Sequence, residues 1–364
     1  MKVLYDYQMF TNQKYGGISR YFYELIKEAP SNEVKLGFRL SNNAYLNKSS
    51  YNGLYPFFPN FDFYRRQWLY EKINKITSKA NIAYGKYDIF HPTYYDPYFL
   101  NHINNKPYVV TCYDMIHEIF FEKYESLRDD KTLLENKKKV ILNATKVIAI
   151  SHQTKRDMMS IYGIDGSNIE VIYLGNSLNK TQICKKQIEN PYLLFVGTRD
   201  NYKNFNSLIT NIKDQIIKYK LKLVCAGGGS FKEFEINLIN NLGLNNAVIN
   251  IQFKNDEELA KLYQNAVAFI FPSLYEGFGI PVLEAFACSC PVLLSSCASL
   301  PEVGGDAALY FDPYSPSSIQ EVLEIVLNDL DLKASLVAKG SERIREFSWQ
   351  QTHQKTRQLY SELL

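Results

Sequence analysis

Short apolar runs alternate with stretches of helical period along the chain, and the alternation restarts near its middle. Val3 to Tyr7 reads as a strand. A polar loop ends in Lys14-Tyr15-Gly16-Gly17, and Ile18, Tyr21, Phe22, Leu25 and Ile26 then recur at helical spacing up to Pro30. Residues 41–62 form a long irregular loop rich in Asn, Tyr, Phe and Pro. Further strands are expected from Tyr87, over Pro107–Cys112 and Lys146–Ser151, and from Glu170, with helices over Leu133–Leu142 and Ser151–Tyr162. The polar stretch Asn179–Asn190 has no period and reads as a linker. Beyond it the pattern restarts, with strands at Tyr192–Val196, Leu221–Ala226, Val248–Phe253 and Ala266–Phe271 and a helical tail from Ile319 to Leu364. This pattern predicts an α/β protein of two Rossmann-like parallel-sheet domains, 1–178 and 179–346. Their ligands are expected in a cleft between opposed carboxyl ends of strands.

A helix is expected over 63–79. On a wheel, Leu69, Ile73 and Ile76 share a stripe, Arg65, Lys72 and Lys79 adjoin it with Trp68 beside them, and Gln67, Asn74 and Ser78 lie opposite. That arrangement suits a helix lying on an anionic bilayer. It equally suits an ordinary surface helix with snorkelling lysines.

Composition narrows the class. The 364 residues are 46% hydrophobic and 22% charged, enough for two packed cores, and a net charge of +3 is too small to argue for nucleic acid. No run approaches the roughly 20 apolar residues of a membrane span. No signal peptide opens the chain, so a soluble, cytoplasmic protein is expected, peripheral to the membrane only through the 63–79 helix. Cys112, Cys184, Cys225, Cys288, Cys290 and Cys297 fit neither a zinc module nor a disulfide scaffold and read as free thiols. Lys137-Lys138-Lys139 reads as a solvated face. Asp329-Leu330-Asp331 has metal-pair spacing but lies in an acidic helical tail, so no metal is expected there.

Candidate chemistry gathers at strand ends. Phe271 to Ala285 is strand, glycine loop and helix start, which exposes backbone N–H groups to an anion. Pro281 suits a first helical position. Glu276 and Glu284 flank the loop and can face one pocket; the plainer reading is a tight turn with a carboxylate favouring the helix dipole. Gly197 followed by Arg199 and Lys203 ahead of a helix suits a diphosphate. Gly16 and Gly17 mark either a turn or a close approach of ligand to backbone. Asp114, His117 and Glu118 follow an apolar strand, where ligand-facing polar residues sit in open α/β sheets and could do proton chemistry.

Glu276 and Glu284, with seven residues between, resemble the signature of family 4 glycosyltransferases (glycosyltransferases group 1), which have the GT-B fold. The likeness runs through Gly16-Gly17-Ile18-Ser19-Arg20, Val109 to Met115, Val196-Gly197-Thr198-Arg199 with Lys203-Asn204, and Ser299 to Ala308. Phe347-Ser348-Trp349 resembles the start of a helix, 347–364, that crosses back to the first domain. The resemblance implies retaining transfer of a sugar from a nucleotide-diphosphate donor, GDP-mannose being one option, to a glycan or lipid-linked glycan acceptor in surface polysaccharide or lipopolysaccharide synthesis. It implies no cofactor beyond the donor. Glu284 would bond the ribose hydroxyls and Glu276 those of the donor sugar. The backbone of Gly277, Phe278, Gly279 and Ile280 would hold sugar and phosphate, and Arg199 and Lys203 would clamp the diphosphate. Gly16 and Gly17 join this donor-binding set; Asp114 and His117 join Glu276 as catalytic residues. Tyr113 stands where many relatives carry histidine and is a poor base. That suggests a front-face reaction in which the departing phosphate takes the acceptor proton. A sugar-nucleotide epimerase, a phosphorylase and a non-catalytic sugar-nucleotide-binding protein are the competing readings.

Overall fold

The computed structural model describes the whole chain except residues 47–52, 129–130, 182–187 and 200. Cys184, Asp200, half of the expected linker and part of the 41–62 loop therefore lie outside the described residues. The chain divides into two compact units, one comprising Met1–Leu174 with Trp349–Leu364 and the other Gly175–Ser348.

The first unit is built on β1 (Val3–Tyr5), β2 (Val34–Leu36), β3 (Ile89–His91), β4 (Val109–Cys112), β5 (Lys146–Ala149) and β6 (Ile169–Val171), all parallel where paired. They form two three-stranded sheets, β2-β1-β3 and β4-β5-β6, joined by a single parallel bridge between Phe90 and Tyr108. β1, β3 and β4 are apolar throughout or nearly so because parallel strands are covered on both faces. The helix Gly17–Glu28 packs Tyr21, Phe22, Leu25 and Ile26 inward. The helix His152–Tyr162 is capped by Ser151, whose hydroxyl accepts the Thr154 N–H, and ends at Gly163 with φ of 67°.

The C-terminal helix Trp349–Ser361 belongs to this unit. Its Trp349 ring lies 6.3 Å from that of Tyr21, its Thr352 hydroxyl donates to the Tyr173 carbonyl at 2.7 Å, and Arg357 grips Glu33 with two hydrogen bonds. The helix also closes a buried polar chain. His91, fully buried, has Nδ1 2.5 Å from the Tyr360 hydroxyl and Nε2 3.0 Å from that of Thr111, which lies 3.1 Å from the Tyr21 hydroxyl.

The helix expected over 63–79 spans Arg66–Tyr84, and the face it buries is not the apolar one. Tyr70, Asn74, Ser78 and Ile82 turn inward, Asn74 being held by Leu40 and Thr11 and Ser78 by Tyr98, while Trp68 and Ile76 are exposed. Lys137, expected in solvent, is also buried. Its ammonium pairs with Glu118 at 2.9 Å and donates to the Asp114 carbonyl at 2.6 Å.

The second unit is one six-stranded parallel sheet of order β12-β11-β10-β7-β8-β9. Its strands are β7 (Tyr192–Val196), β8 (Lys222–Ala226), β9 (Val248–Ile251), β10 (Ala268–Phe271), β11 (Val292–Ser295) and β12 (Leu309–Phe311). The core lies along β7, β8 and β10, where Leu193, Phe195, Leu223, Ala268 and Ile270 are wholly buried beneath the helices Phe205–Asn211 and Pro316–Asn328. From β7 the chain winds outward through β8 to β9, then returns to β10 and winds the other way. The reversal falls between β7 and β10, and in open α/β sheets a crevice opens at that point beyond the carboxyl ends of the strands.

Candidate active site

The two loops at this reversal touch. The loop after β7 carries Lys203; the loop after β10 carries Glu276. The Lys203 ammonium lies 2.7 Å from Glu276 Oε1, with 16% and 11% of the two side chains exposed. It also sits 5.2 Å and 5.3 Å from the ring centres of Tyr202 and Phe271. The Leu274 N–H donates to the Tyr202 carbonyl at 2.7 Å, so backbone as well as side chains join the loops. Ser273, in the same loop, has a buried hydroxyl with no partner among the described residues.

The loop 272–279 is fixed by the end of β11 and the segment beyond it. Ser295 donates to the Ser273 carbonyl, and the buried Ser299 hydroxyl lies 2.8 Å from the Glu276 carbonyl and 2.9 Å from that of Phe278. In a trans peptide the carbonyl and the next N–H point to opposite sides. Carbonyls 276 and 278 turned toward Ser299 therefore turn the N–H groups of Gly277 and Gly279 the other way. Gly279 itself has φ of 109°, and a Cβ there would meet Leu300 at 3.0 Å, so glycine is required. The helix Ile280–Ala287 then begins with Gly279 as its N-cap, Pro281 in its first turn and no side-chain cap hydrogen bond at its positive end. Phe278 contributes backbone only, since its ring is buried 5.9 Å from that of Phe347. Glu284 lies half-buried in the same helix and accepts a hydrogen bond from the Tyr263 hydroxyl at 3.0 Å.

Arg199, expected in the diphosphate clamp, is held by the protein's own groups. Its guanidinium is buried; Nε donates to Glu235 at 2.8 Å, and Nη1 and Nη2 donate to the carbonyls of Gly227, Gly228, Gly229 and Ser230. Gly227, Gly228 and Gly229 all have positive φ, which lets their carbonyls converge on one cation, and a Cβ on Gly228 would strike the Gly197 carbonyl at 2.4 Å. Arg199 thus ties the loop after β8 to the loop after β7.

In the first unit the strand order reverses between β1 and β3. Asp6, just past β1, is completely buried there. It accepts from the Thr93 N–H and hydroxyl at 2.8 and 2.6 Å, from Gln8 Nε2 at 2.7 Å and from the Tyr98 hydroxyl at 3.0 Å. Burial nonetheless raises its pKa above the usual carboxylate range. A Cβ on Gly16 would displace the end of the Gln13 side chain, which accepts the Ser19 N–H. A Cβ on Gly17 would meet nothing within 4 Å.

Asp114 is half-buried and caps the short helix Ile116–Phe120 through the Ile116 N–H at 3.1 Å; His117 lies in that helix, also half-buried. Beneath them Glu118 pairs with Lys137 and accepts from the Tyr162 hydroxyl. The Tyr113 hydroxyl is buried without a partner among the described residues, and burial pushes its pKa well above 10, so it is no base at neutral pH.

Sequence reasoning missed Asp6 and Tyr263, took Lys137 for a solvated residue, and met Ser299 only as the start of a family-like segment, without its hydrogen bonds. Asp6 could have been found by the strand-end rule that singled out Asp114. The others are brought in by tertiary packing and leave no local signal. Cys112, Cys225, Cys288 and Cys290 are buried free thiols, and burial pushes Cys112 up to about 12. Cys297 is a half-buried free thiol. Asp329 caps the helix Leu330–Arg343 through the Leu332 N–H. Among the described residues no group of three His, Cys, Asp or Glu converges, and no helix is long and apolar enough to cross a membrane.

Two family descriptions together match most of the chain: Glycosyltransferase Family 4 over residues 15–180 and Glycosyl transferases group 1 over 179–343. An uncharacterised glycosyltransferase of Methanocaldococcus jannaschii is 27% identical over 301 residues, covering 77% of this chain and 76% of that protein. The O-antigen chain mannosyltransferase RfbU of Salmonella typhimurium is 34% identical over 178 residues, 49% of this chain and 50% of the relative. The O-antigen chain mannosyltransferase B of Escherichia coli is 31% identical over 172 residues, covering 46% of this chain and 45% of that enzyme. The chain thus matches about half the length of these two named enzymes. Among solved structures, sucrose-phosphate synthase from Thermosynechococcus elongatus superposes with a TM-score of 0.79 at 18% identity, covering 99% of this chain and 98% of that one. HepE of Anabaena, solved with UDP-glucose, gives 0.76 at 16%, covering all of both chains. These likenesses are of fold, and the fold is GT-B.

Proposed function

The chain belongs to the group 1 (family 4) glycosyltransferases, and we propose that it transfers a sugar from a nucleoside-diphosphate donor to a hydroxyl of a glycan or lipid-linked glycan, with retention and without a divalent metal. The observation that carries this is the meeting of Lys203 and Glu276 at the reversal between β7 and β10. Breaking the bond between the anomeric carbon and the β-phosphate oxygen sends an electron pair onto the diphosphate. The acceptor oxygen closes on the same face of the sugar, and its proton passes to the departing phosphate oxygen. Lys203, the Gly277 and Gly279 N–H groups and the uncapped start of the helix Ile280–Ala287 stabilise the growing charge. Glu276, released from Lys203 as phosphate takes that cation, grips the sugar hydroxyls. Glu284 holds the ribose. Arg199 is left out of the clamp and shapes its wall through Gly227–Ser230. Asp114 and His117 position the acceptor.

Two relatives named as O-antigen chain mannosyltransferases support mannose as the transferred sugar, with GDP-mannose as the donor this reading takes, and a lipopolysaccharide-type glycan as product. Thermal shift across GDP- and UDP-sugars tests the donor class. Ligand at a hundredfold its Kd adds about 2.7 kcal/mol. GDP-mannose should raise the melting temperature, and Glu284→Gln should erase the rise. Stabilisation by UDP-sugars alone would remove GDP-mannose; no shift with any sugar nucleotide would remove the whole reading.

A lipid-linked acceptor brings the enzyme to a membrane. The outward face of the helix Arg66–Tyr84 and the segment before it supports peripheral docking: Trp68 is 51% exposed, Ile76 60%, Tyr64 86% and Phe61 66%. Lys72 lies 4.6 Å over Trp68 and Arg65 5.2 Å over Tyr64, so cations accompany the aromatic rings, as an anionic interface requires.

A further inference from the structure

A groove of about 620 Å³ lies at the amino ends of β1, β2 and β3, the opposite end of that sheet from Asp6. Lys2, Lys35 and Lys86 line it, with Asn32, Val34 and Tyr84. Beside it Lys106 donates to the Gly85 and Tyr87 carbonyls at 3.3 and 2.8 Å and lies 3.8 Å over the Tyr87 ring. Lys106 thus answers the negative end of the helix Arg66–Tyr84. Lys35 has no such answer. Its ammonium reaches the same turn, so close that a Cβ on Gly85 would meet Nζ at 2.8 Å, yet it has no hydrogen bond or ion pair among the described residues. Burial, and then the charges of Lys106 and Lys2, hold its pKa below the usual lysine range. The ammonium groups of Lys2 and Lys86 are likewise unpaired among the described residues. The carboxylates adjoining these residues in sequence are engaged, Asp88 by the Lys2 N–H at 2.6 Å and Glu33 by Arg357.

We propose that this groove is a second binding site, for a phosphomonoester group held by Lys2, Lys35 and Lys86. Ammonium groups lining one groove repel one another, and the single charge of a carboxylate would leave most of that repulsion in place. A phosphomonoester brings nearly two charges and three strong acceptor oxygens, and lysine meets it as a compact point charge. Two sources carry that chemistry. Ala80 and Tyr84, which also line the groove, are exposed on the helix that shows Trp68 and Ile76, so a lipid headgroup is one source. A soluble phosphate ester is the other. The groove belongs wholly to the first unit and shares no residue with the donor site built on Lys203 and Glu276.

Acetylation of lysines by a water-soluble ester, read residue by residue by mass spectrometry on the full chain, tests the site. Inorganic phosphate at ~20 mM, with a Kd on the order of 1 mM, should slow modification of Lys35 and Lys86 about tenfold or more. Chloride at the same ionic strength should not, and the exposed Lys139 should change less than about twofold. Lys35→Gln, its fold checked by an unchanged melting temperature, should abolish the protection of Lys86. Lys203→Ala should retain that protection in full, which separates this groove from the donor site. Phosphatidylcholine vesicles carrying phosphatidate that protect Lys35 at lower phosphate than the free ion needs assign the site to lipid headgroups. No gain over the free ion assigns it to soluble phosphate esters. Failure of inorganic phosphate to protect Lys35, equal slowing of Lys139, or loss of protection in Lys203→Ala overturns the proposal.

Discussion

His91 sits where a charge would have no answer. Its two ring nitrogens are engaged by the Tyr360 and Thr111 hydroxyls, and burial pushes its pKa down to about 3. The folded protein therefore holds it neutral, whereas the unfolded chain protonates it below about 6.5. The unfolded state binds the extra proton between these values, so the contribution of His91 is intact above pH 6.5 and is lost as pH falls toward 3. Going from pH 7.5 to pH 5 should cost about 2 kcal/mol through this residue. Urea midpoints at the two pH values, compared for wild type and His91→Gln, check it: the variant should be less stable at pH 7.5 but shallower in its pH dependence. Parallel declines would show that His91 does not set the slope.

Arg199 shows how far a residue's role depends on distant partners. Two cations four apart before a helix look alike in sequence, yet Lys203 meets the carboxylate of the loop after β10 and Arg199 spends its donors on Glu235 and on the carbonyls of Gly227 to Ser230, 28 to 31 residues onward. Local spacing named Lys203 and Glu276 because strand end, glycine and helix start are local signals. It could not show the groups that hold Arg199, because the partners of a guanidinium are settled by the fold.

At the scale of elements, strands were the most legible. β7 and β10 are apolar at every position, and parallel strands covered on both faces must be. The helix Arg66–Tyr84 was legible in period but not in orientation. A wheel says which residues share a face, not which face turns inward. Here Asn74 and Ser78 find buried partners, which satisfies them and leaves Trp68 and Ile76 outside. Under the proposed function, this exposed apolar face is the one that meets the membrane. Co-sedimentation with vesicles containing anionic lipid should pellet the wild type and lose most of that binding in a Trp68→Ser, Lys72→Ala variant. Zwitterionic vesicles should pellet less of the wild type. Equal pelleting of both proteins would remove the docking face.

At the scale of the molecule, two parallel sheets each reverse their strand order, and the two reversals are treated differently. Between β1 and β3 the chain fills the position beyond the strands with its own Asp6, satisfied by Thr93, Gln8 and Tyr98. Between β7 and β10 a cation and a carboxylate face each other across two loops, and the peptides of the one after β10 are held from behind by Ser299. The restart of the pattern made the two parallel α/β units legible, and the Glu276 to Glu284 spacing made the family legible. Tyr263, Ser299 and the buried Lys137–Glu118 pair were not, since each joins segments distant in sequence whose proximity only the completed fold creates.

The central claim is that this second reversal breaks a sugar–diphosphate bond with Lys203 as the leaving-group cation. Hydrolysis of a panel of GDP- and UDP-sugars, GDP-mannose among them, by the wild type and by Lys203→Ala tests it most directly. One donor should be cleaved, and the variant should cleave it on the order of 100-fold more slowly, the usual loss when one stabilising donor is removed from a developing charge. Cleavage of that donor at the same rate by both proteins, or of no donor by either, would contradict the account.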